Sequence, residues 1–271
     1  MTAMTLFTMG TVLYGASAYL YVAGWLARER TARAWAPRLL GGAVALYVSS
    51  MGLRWSTFGF PFLTLREVLS LYALALALFY LVLELRSGYS IIGVLVTPVG
   101  SLMILAASLL PGAKQPLLPL LQSPWLMAHT GVFLAAYAAF TVAFAAALAY
   151  LLQDWSLRRR RLAWRLPPLP VMDSLSRWLV AIGLLMMVGA VITGSAWAQK
   201  VWGQAWVWQP KQVLTLVTLA IYGSYLFVRH VAHWSVRKAS WIVVAGFISV
   251  LTTFIGADLI APDGLHSFLL R

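Results

Sequence analysis

Histidine is a scarce chemical group in this sequence. The 271 residues contain four histidines and no cysteine, so no thiolate can bind a metal or act as a nucleophile. His129 and His266 are predicted to lie on one side of a membrane, where two neutral imidazoles could ligate a haem iron from above and below. His230 and His233, three residues apart, share a face if one helix contains both. For each histidine the alternative is a hydrogen-bonded packing role.

A tryptophan-rich segment covers residues 197–212. Trp202 and Trp206 are four residues apart, so in a helix they share a face. A helix of this kind would lie flat at the membrane surface, and its aromatic side could also contact a flat apolar ligand such as a porphyrin. Composition alone favours the alternative, an aromatic belt that anchors a loop, because tryptophan is enriched at membrane interfaces.

Composition indicates the class of protein that must position these groups. The chain is 62% hydrophobic and 10% charged, with a mean hydropathy of +0.84. About a quarter of the residues of a soluble domain are charged. The sequence therefore predicts an all-α, polytopic membrane helix bundle that packs as a single domain over residues 1–271.

Eight apolar stretches can each cross a membrane, which requires roughly 20 residues. The first stretch lacks the basic start of a cleaved signal peptide, so it is predicted to be a span. Pro98 is predicted to kink the fourth span without ending it. The predicted spans are 4–26, 39–56, 65–85, 90–110, 125–153, 174–197, 212–230 and 239–260.

Charge distribution predicts the orientation. Arginines are concentrated at 28–38, 158–165 and 229–238, which fall on one side if there are eight spans. The positive-inside rule makes that side cytoplasmic, so both termini and the tryptophan-rich segment face outward. The net charge of +13 then indicates a cell-membrane protein in contact with anionic lipid, not one that binds nucleic acid. The outer side has few cations, namely Arg54, Arg66, Lys114, Lys200, Lys211 and Arg271.

Several motifs resemble those of the cytochrome c assembly family, in particular its CcsA and HemX branch. Trp202-Gly-Gln-Ala-Trp-Val-Trp-Gln-Pro-Lys-Gln212, followed by Tyr222-Gly-Ser-Tyr-Leu226, is similar to the family's tryptophan-rich signature. Leu65-Arg-Glu67 resembles the start of a family span. His129-Thr-Gly-Val-Phe-Leu-Ala-Ala-Tyr137 and Gly264-Leu-His-Ser267 resemble its two external histidines.

The resemblance implies that the protein binds haem b non-covalently on the outer face and presents it to apocytochrome c. His129 and His266 are then the axial ligands, and the rings that pack on the macrocycle are those of Trp202, Trp206 and Trp208. Haem carries two propionates, which need cations nearby. The candidates, by their position on the outer side, are Arg54, Arg66, Lys200 and Lys211. Interfacial snorkelling is the alternative for these cations. A CcsB-like membrane protein is the implied partner.

Three residues depart from the family pattern. Gln209 and Gln212 stand where the family has aspartate and glutamate, and Phe227 stands where it has an intramembrane histidine. Glutamine cannot balance a cation, and phenylalanine cannot ligate iron. These departures favour an alternative function, a HemX-like regulator or scaffold of tetrapyrrole synthesis without catalysis. Whether the chain has any enzymatic role is left open, and a subunit that only stabilises a larger membrane complex is a third interpretation.

Overall fold

The computed structural model describes residues 2–58, 64–111, 123–160 and 166–256. These residues form α-helices and no strand, which confirms the predicted all-α fold. A π-helical turn, Thr252–Gly256, follows the last helix. The helices are α1 (Ala3–Leu26), α2 (Arg30–Phe58), α3 (Leu65–Ser87), α4 (Ile91–Leu109), α5 (Pro124–Arg158), α6 (Leu169–Trp202), α7 (Pro210–His230) and α8 (Val236–Leu251).

Seven of these helices, all except α2, are long and apolar enough to cross a membrane if α8 is counted together with the π-helical residues as far as Phe254. The polytopic helical architecture is therefore confirmed. Several helices extend beyond the predicted spans: α2 begins well before residue 39, and α6 begins before residue 174 and ends after residue 197. Pro98 lies inside α4, which continues to Leu109, so the prediction that this proline does not end the span is correct.

The chain divides into two compact units, with the boundary between Met127 and Ala128 in α5. The first unit contains α1 to α4, and the second contains α6 to α8 and nearly all of α5. The prediction of a single domain over residues 1–271 stays a prediction. Each unit is described separately below.

In the first unit, α2 lies antiparallel beside α1. The Ser50 hydroxyl donates to the carbonyl oxygen of Ala3 at 2.7 Å, near the start of α1. Near the other end, a methyl group at Gly24 would lie 3.0 Å from the Cβ of Ala32. The two contacts are separated by about 30 Å along α1, at 1.5 Å per residue. Helix α1 is long and apolar enough to cross a membrane. Because α2 runs alongside α1 over this length, α2 covers the same membrane depth although it contains arginines.

Buried tyrosines pack the first unit against glycines. A methyl group at Gly100 on α4 would overlap the hydroxyl of Tyr14 on α1, and one at Gly93 would overlap that of Tyr80 on α3. Tyr14 and Tyr80 are fully buried. The Tyr14 hydroxyl donates to the carbonyl oxygen of Ala73 at 3.3 Å. Glycine thus lets α4 approach two aromatic side chains whose polar ends remain hydrogen-bonded within the unit.

In the second unit, α5 supplies the core. Residues 134–150 of α5 are mostly buried alanines and aromatics. Phe140 stacks on Tyr222 of α7 with ring centroids 3.8 Å apart. Gly183 on α6 and Gly246 on α8 make room for these two rings, since a methyl group at either glycine would come within 2.7 Å of ring carbon atoms. The stacked pair therefore fixes three other helices around α5.

Ion pairs close the end of the second unit opposite His129. Asp173 on α6 lies 2.8 Å from Nη2 of Arg229 on α7, and both side chains are 12% exposed. Nη1 of Arg229 donates to the carbonyl oxygen of Trp234 at 2.7 Å, in the turn before α8. One guanidinium thus joins α6, α7 and the following turn. Asp154 on α5 forms weaker, more exposed pairs with Arg158 and Arg237.

Candidate functional site

His129 occupies the second turn of α5 and is fixed by α6. Its Nδ1 atom lies 2.7 Å from the carbonyl oxygen of Ala190. A carbonyl oxygen only accepts hydrogen bonds, so Nδ1 must carry the proton that is donated. The Nε2 atom then carries the lone pair and has no hydrogen-bond partner among the residues that the structure describes. This tautomer leaves Nε2 able to ligate a metal.

Gly194 makes this arrangement possible, and sequence reasoning missed it. A methyl group at Gly194 would lie 2.6 Å from Nδ1 of His129 and 2.8 Å from its Cε1. Real Cβ atoms do not come so close, so any larger residue would displace the ring. Gly194 lies one helical turn after Ala190, so both contact the same imidazole. Nothing in the local sequence pairs this glycine with a histidine 65 positions earlier.

Aromatic rings of α5 continue from His129 toward the core. The centroid of Phe133 is 5.6 Å from that of the imidazole, and the centroid of Tyr137 is 4.5 Å from Phe133. These residues follow His129 at intervals of four, which places them on one helix face. The imidazole is thereby supported by packing on one side and by α6 on another.

The tryptophan-rich segment is not a surface helix, so the interpretation based on the four-residue spacing is wrong, whereas the alternative of a loop is consistent with the structure. Helix α6 continues to Trp202 and ends at Gly203, whose φ of 70° is left-handed. The Gln199 side chain donates to the carbonyl oxygen of Gly203 at 3.1 Å. Residues 204–209 are not helical, and α7 then begins at Pro210. A glycine stop followed by a proline start outweighs the four-residue tryptophan spacing.

The tryptophans form two edge-to-face pairs around this turn. Trp197 and Trp202 have ring centroids 4.9 Å apart, and Trp206 and Trp208 have centroids 5.8 Å apart. Trp197 is 3% exposed, whereas Trp208 is 74% exposed. Trp197 was not among the predicted binding residues, although it lies one turn from Gly194.

Three polar atoms of the segment are buried without a hydrogen bond. They are the indole Nε1 atoms of Trp197 and Trp206 and the Oε1 atom of Gln212. Buried donors and acceptors are nearly always paired in folded proteins. These three atoms are therefore available for a further polar contact.

The predicted cations divide between the two units. Lys200 lies in the last turn of α6, and Lys211 follows Pro210 in the first turn of α7, within electrostatic range of His129. Arg54 and Arg66 belong to the first unit and have their contacts there. Gln209 is the N-cap of α7 and makes no side-chain capping hydrogen bond.

Neither His230 nor His233 adds a ligand to this site. His266 lies outside the described residues. The Nδ1 atom of His230 lies 3.0 Å from the carbonyl oxygen of Leu226, and α7 ends at His230. His233 has a φ of 50°, beyond the helix, so the predicted shared face of these two histidines is not formed. Within the described ranges, no group of three histidine, aspartate or glutamate side chains could hold a metal.

The described residues define a polytopic α-helical membrane protein in which a tautomer-fixed imidazole lies close to a tryptophan-rich turn. The sequence pattern of the cytochrome c assembly protein family matches residues 62–263. The chain belongs to this family. Cytochrome c assembly is therefore the process in which this membrane protein takes part, as the motif resemblance implied.

Individual relatives support the same branch. The chain is 32% identical over 259 residues to the cytochrome c biogenesis protein CcsA of Parasynechococcus marenigrum, covering 85% of each chain. It is 30% identical over 261 residues to CcsA of Thermosynechococcus vestitus, covering 80% of this chain and 82% of that one. The solved structure of the cytochrome c heme lyase CcmF matches the whole chain with a TM-score of 0.73. This chain spans 50% of CcmF at 16% identity, so that likeness shows the fold alone.

Proposed function

We propose that this protein binds haem b non-covalently on the outer face of the cell membrane and presents it to apocytochrome c. The observation that carries the proposal is the hydrogen bond from Nδ1 of His129 to Ala190, which leaves Nε2 available as an iron ligand. His266, the second histidine implied by the family motifs, is the proposed axial partner. Both termini and the tryptophan-rich segment are proposed to face outward, on the basis of the arginine distribution.

The site residues fit a porphyrin in both shape and polarity. The rings of Trp202, Trp206 and Trp208 offer apolar surface for the macrocycle, and Trp197 buries the base of the turn. A propionate can accept from the unpaired indole N–H groups, and a bound water can donate to the Gln212 oxygen. A planar, largely apolar ligand with two carboxylates matches the aromatic surface and the indole N–H groups.

Lysines at the two helix ends are suited to the propionates. Lys200 and Lys211 lie on either side of the tryptophan turn, and Lys211 is in the first turn of α7. The positive end of the α7 macrodipole adds to its charge. Arg54 and Arg66 of the first unit stay candidates for the same role. The two lysines orient the ligand, so that the same edge of the porphyrin is presented each time.

The haem itself supplies the porphyrin to which cysteine thiols of an apocytochrome become joined by thioether bonds. This chain contains no cysteine, so those thiols belong to the apocytochrome. The residues of the chain hold and orient the ligand and restrict water around it. A CcsB-like membrane protein is the proposed partner, and anionic lipid is the proposed surrounding of the arginine-rich side.

A second candidate is a HemX-like regulator or scaffold of tetrapyrrole synthesis that binds haem without passing it on. The observation that favours it is at Phe227, where the family has an intramembrane histidine. Phe227 is 59% exposed on α7, so its side chain does not line the core of the unit. A haem-transfer assay with a purified apocytochrome and partner protein separates the two candidates, because a regulator would keep its haem.

The absorption spectrum of the purified protein tests the proposed site. We expect low-spin haem with two nitrogenous axial ligands, and His129→Ala should open one coordination position that added imidazole refills. His230→Ala is the matched control and should leave the spectrum unchanged. Unaltered low-spin haem in the double variant His129→Ala/His266→Ala would overturn the assignment.

A further inference from the structure

Arg66 is a buried positive charge in the first unit. It is the second residue of α3 and is 7% exposed. Its Nη1 atom donates to the carbonyl oxygen of Leu110 at 3.3 Å, its Nη2 atom lies 3.1 Å from the Sδ atom of Met4, and its Cζ lies 4.5 Å from the centre of the Phe7 ring. A thioether is a weak acceptor, so these contacts do not satisfy the five N–H groups of a guanidinium.

The nearest carboxylate is already committed to other groups. Oε1 of Glu67 lies 2.7 Å from Nη2 of Arg54. Oε2 of Glu67 accepts from the backbone N–H of Thr64 at 3.0 Å and from the Thr64 hydroxyl, which forms the capping box of α3. Arg66 is thus repelled by Arg54 and attracted by Glu67, so one carboxylate is shared by two guanidiniums.

Within the described residues, the cluster has two guanidiniums and one carboxylate. Arg66 has no carboxylate partner among the described residues, and Nε of Arg54 is buried without a hydrogen bond. An uncompensated charge in an apolar interior is strongly unfavourable unless a counter-ion is bound. The guanidinium fork matches the geometry of carboxylate and phosphate oxygens, so the missing group is an oxyanion.

The position of the cluster indicates where this oxyanion comes from. Met4 lies at the start of α1, Arg66 at the start of α3, and Leu110 follows the end of α4. These helix ends meet at the depth of the interface, where lipid headgroups lie. We propose that Arg66, with Arg54 beside it, binds an oxyanion at this interface, supplied by a phospholipid phosphate or by the carboxylate of an amphiphilic ligand. Only the carboxylate source, a haem propionate, depends on the proposed function.

Lipid binding tests the phosphate source. The affinity of the detergent-purified chain for dioleoylphosphatidylglycerol is measured by native mass spectrometry in the wild type and in Arg66→Gln. We expect Arg66→Gln to weaken binding roughly tenfold, the factor of one charge-assisted hydrogen bond. Arg86→Gln is the control, because Arg86 is exposed in the last turn of α3 and lies outside the three arginine-rich stretches. Arg66→Lys keeps the positive charge but not the guanidinium fork, so it should lose less lipid affinity than Arg66→Gln.

Haem and its dimethyl ester, in which both propionates are blocked, test the carboxylate source. If a propionate is the oxyanion, Arg66→Gln weakens haem binding roughly tenfold, again the factor of one charge-assisted hydrogen bond. The same substitution leaves binding of the ester unchanged. Retention of both the lipid and the haem affinities in Arg66→Gln would overturn the proposal.

Arg66→Met provides a readout that does not depend on an identified ligand. With an oxyanion bound, the apolar variant should unfold at a lower temperature than the wild type in lipid-containing micelles. A higher unfolding temperature in lipid-containing and in delipidated micelles alike would show that the charge has no counter-ion, which also overturns the proposal. The haem-binding proposal is tested separately by His129, so the failure of either leaves the other standing.

Discussion

His129 and Ala190 are 61 residues apart, yet one hydrogen bond of 2.7 Å between Nδ1 and the carbonyl oxygen joins them across two helices. The acceptor belongs to the backbone, so no substitution at residue 190 can remove it without moving the helix. The tautomer of the imidazole is thus determined by the packing of α5 against α6. The predictions below begin with this contact.

Gly194→Ala should displace the His129 ring, because the new methyl group would lie 2.6 Å from Nδ1. The cost of such overpacking is about 1–3 kcal/mol. We expect the hydrogen bond to Ala190 to break and the low-spin haem spectrum to be lost, although every proposed ligand is still present. Optical and electron paramagnetic resonance spectra of the purified variant measure this.

Gly189→Ala is the matched control on the same helix. Its methyl group would lie 3.9 Å from Cγ1 of Val132, which is ordinary contact. Alanine is favoured over glycine in a helix by about 1 kcal/mol, so stability should be equal or higher. If both variants kept the wild-type spectrum, the close approach of α6 to His129 would have no role in the site.

Gln209→Asp should stabilise the start of α7. Gln209 has the extended backbone of an N-cap, with φ −113° and ψ 159°, but makes no capping bond with its side chain. An aspartate there can accept from the free N–H groups of the first turn, which stabilises a helix by about 1 kcal/mol. The midpoint of thermal unfolding in detergent should rise. Gln204→Asp, at an exposed position in the preceding loop, should leave it unchanged, and an equal rise in both would refute the capping argument.

Asp173→Asn should destabilise the second unit, because it leaves Arg229, 12% exposed, without its carboxylate partner. Removal of one member of a buried ion pair costs about 3 kcal/mol. Asp154→Asn should cost less than about 1 kcal/mol, since the arginines paired with Asp154 are largely exposed. Chemical denaturation of both variants in micelles compares them, and equal losses would contradict this ranking.

One haem per chain is expected, at the site of His129, because Phe227 occupies the position of the family's intramembrane histidine. Phe227→His should add no tightly bound haem, since residue 227 is 59% exposed and faces away from the core of the unit. Haem content per protein, measured by the pyridine haemochrome method, decides this. Two haems in the unmodified chain would contradict the expectation, and His230→Ala would then show whether His230 holds the second.

The orientation predicts opposite results for two reporter fusions. A periplasmic-type reporter such as alkaline phosphatase should be active when fused after Arg271 and inactive when fused at Arg161. This follows from an even number of crossings, with α2 included, and from the cytoplasmic placement of the arginine-rich loops. The reverse activities would place the tryptophan-rich turn in the cytoplasm and exclude presentation of haem on the outer face.

The sequence alone was sufficient to predict the class of fold. Apolar runs of about 20 residues predict membrane helices, and seven of the eight stretches coincide with helices that meet that requirement. The tryptophan and histidine motifs were sufficient to identify the family. Apolar runs and short motifs are local in the chain, so they can be recognised without knowing which segments contact each other in the fold.

The tertiary structure decided the details of the site. The tryptophan spacing indicated a helix, but Gly203 ends α6 within the segment and Pro210 starts the next helix. The roles of Ala190 and Gly194 depend on the packing of α6 against α5. Likewise, Arg66 is one more arginine in the sequence, and only the packing of α1, α3 and α4 makes it a buried charge without a carboxylate partner among the described residues. Contacts between residues distant in the chain leave no mark on local spacing, which is why these features could not be predicted.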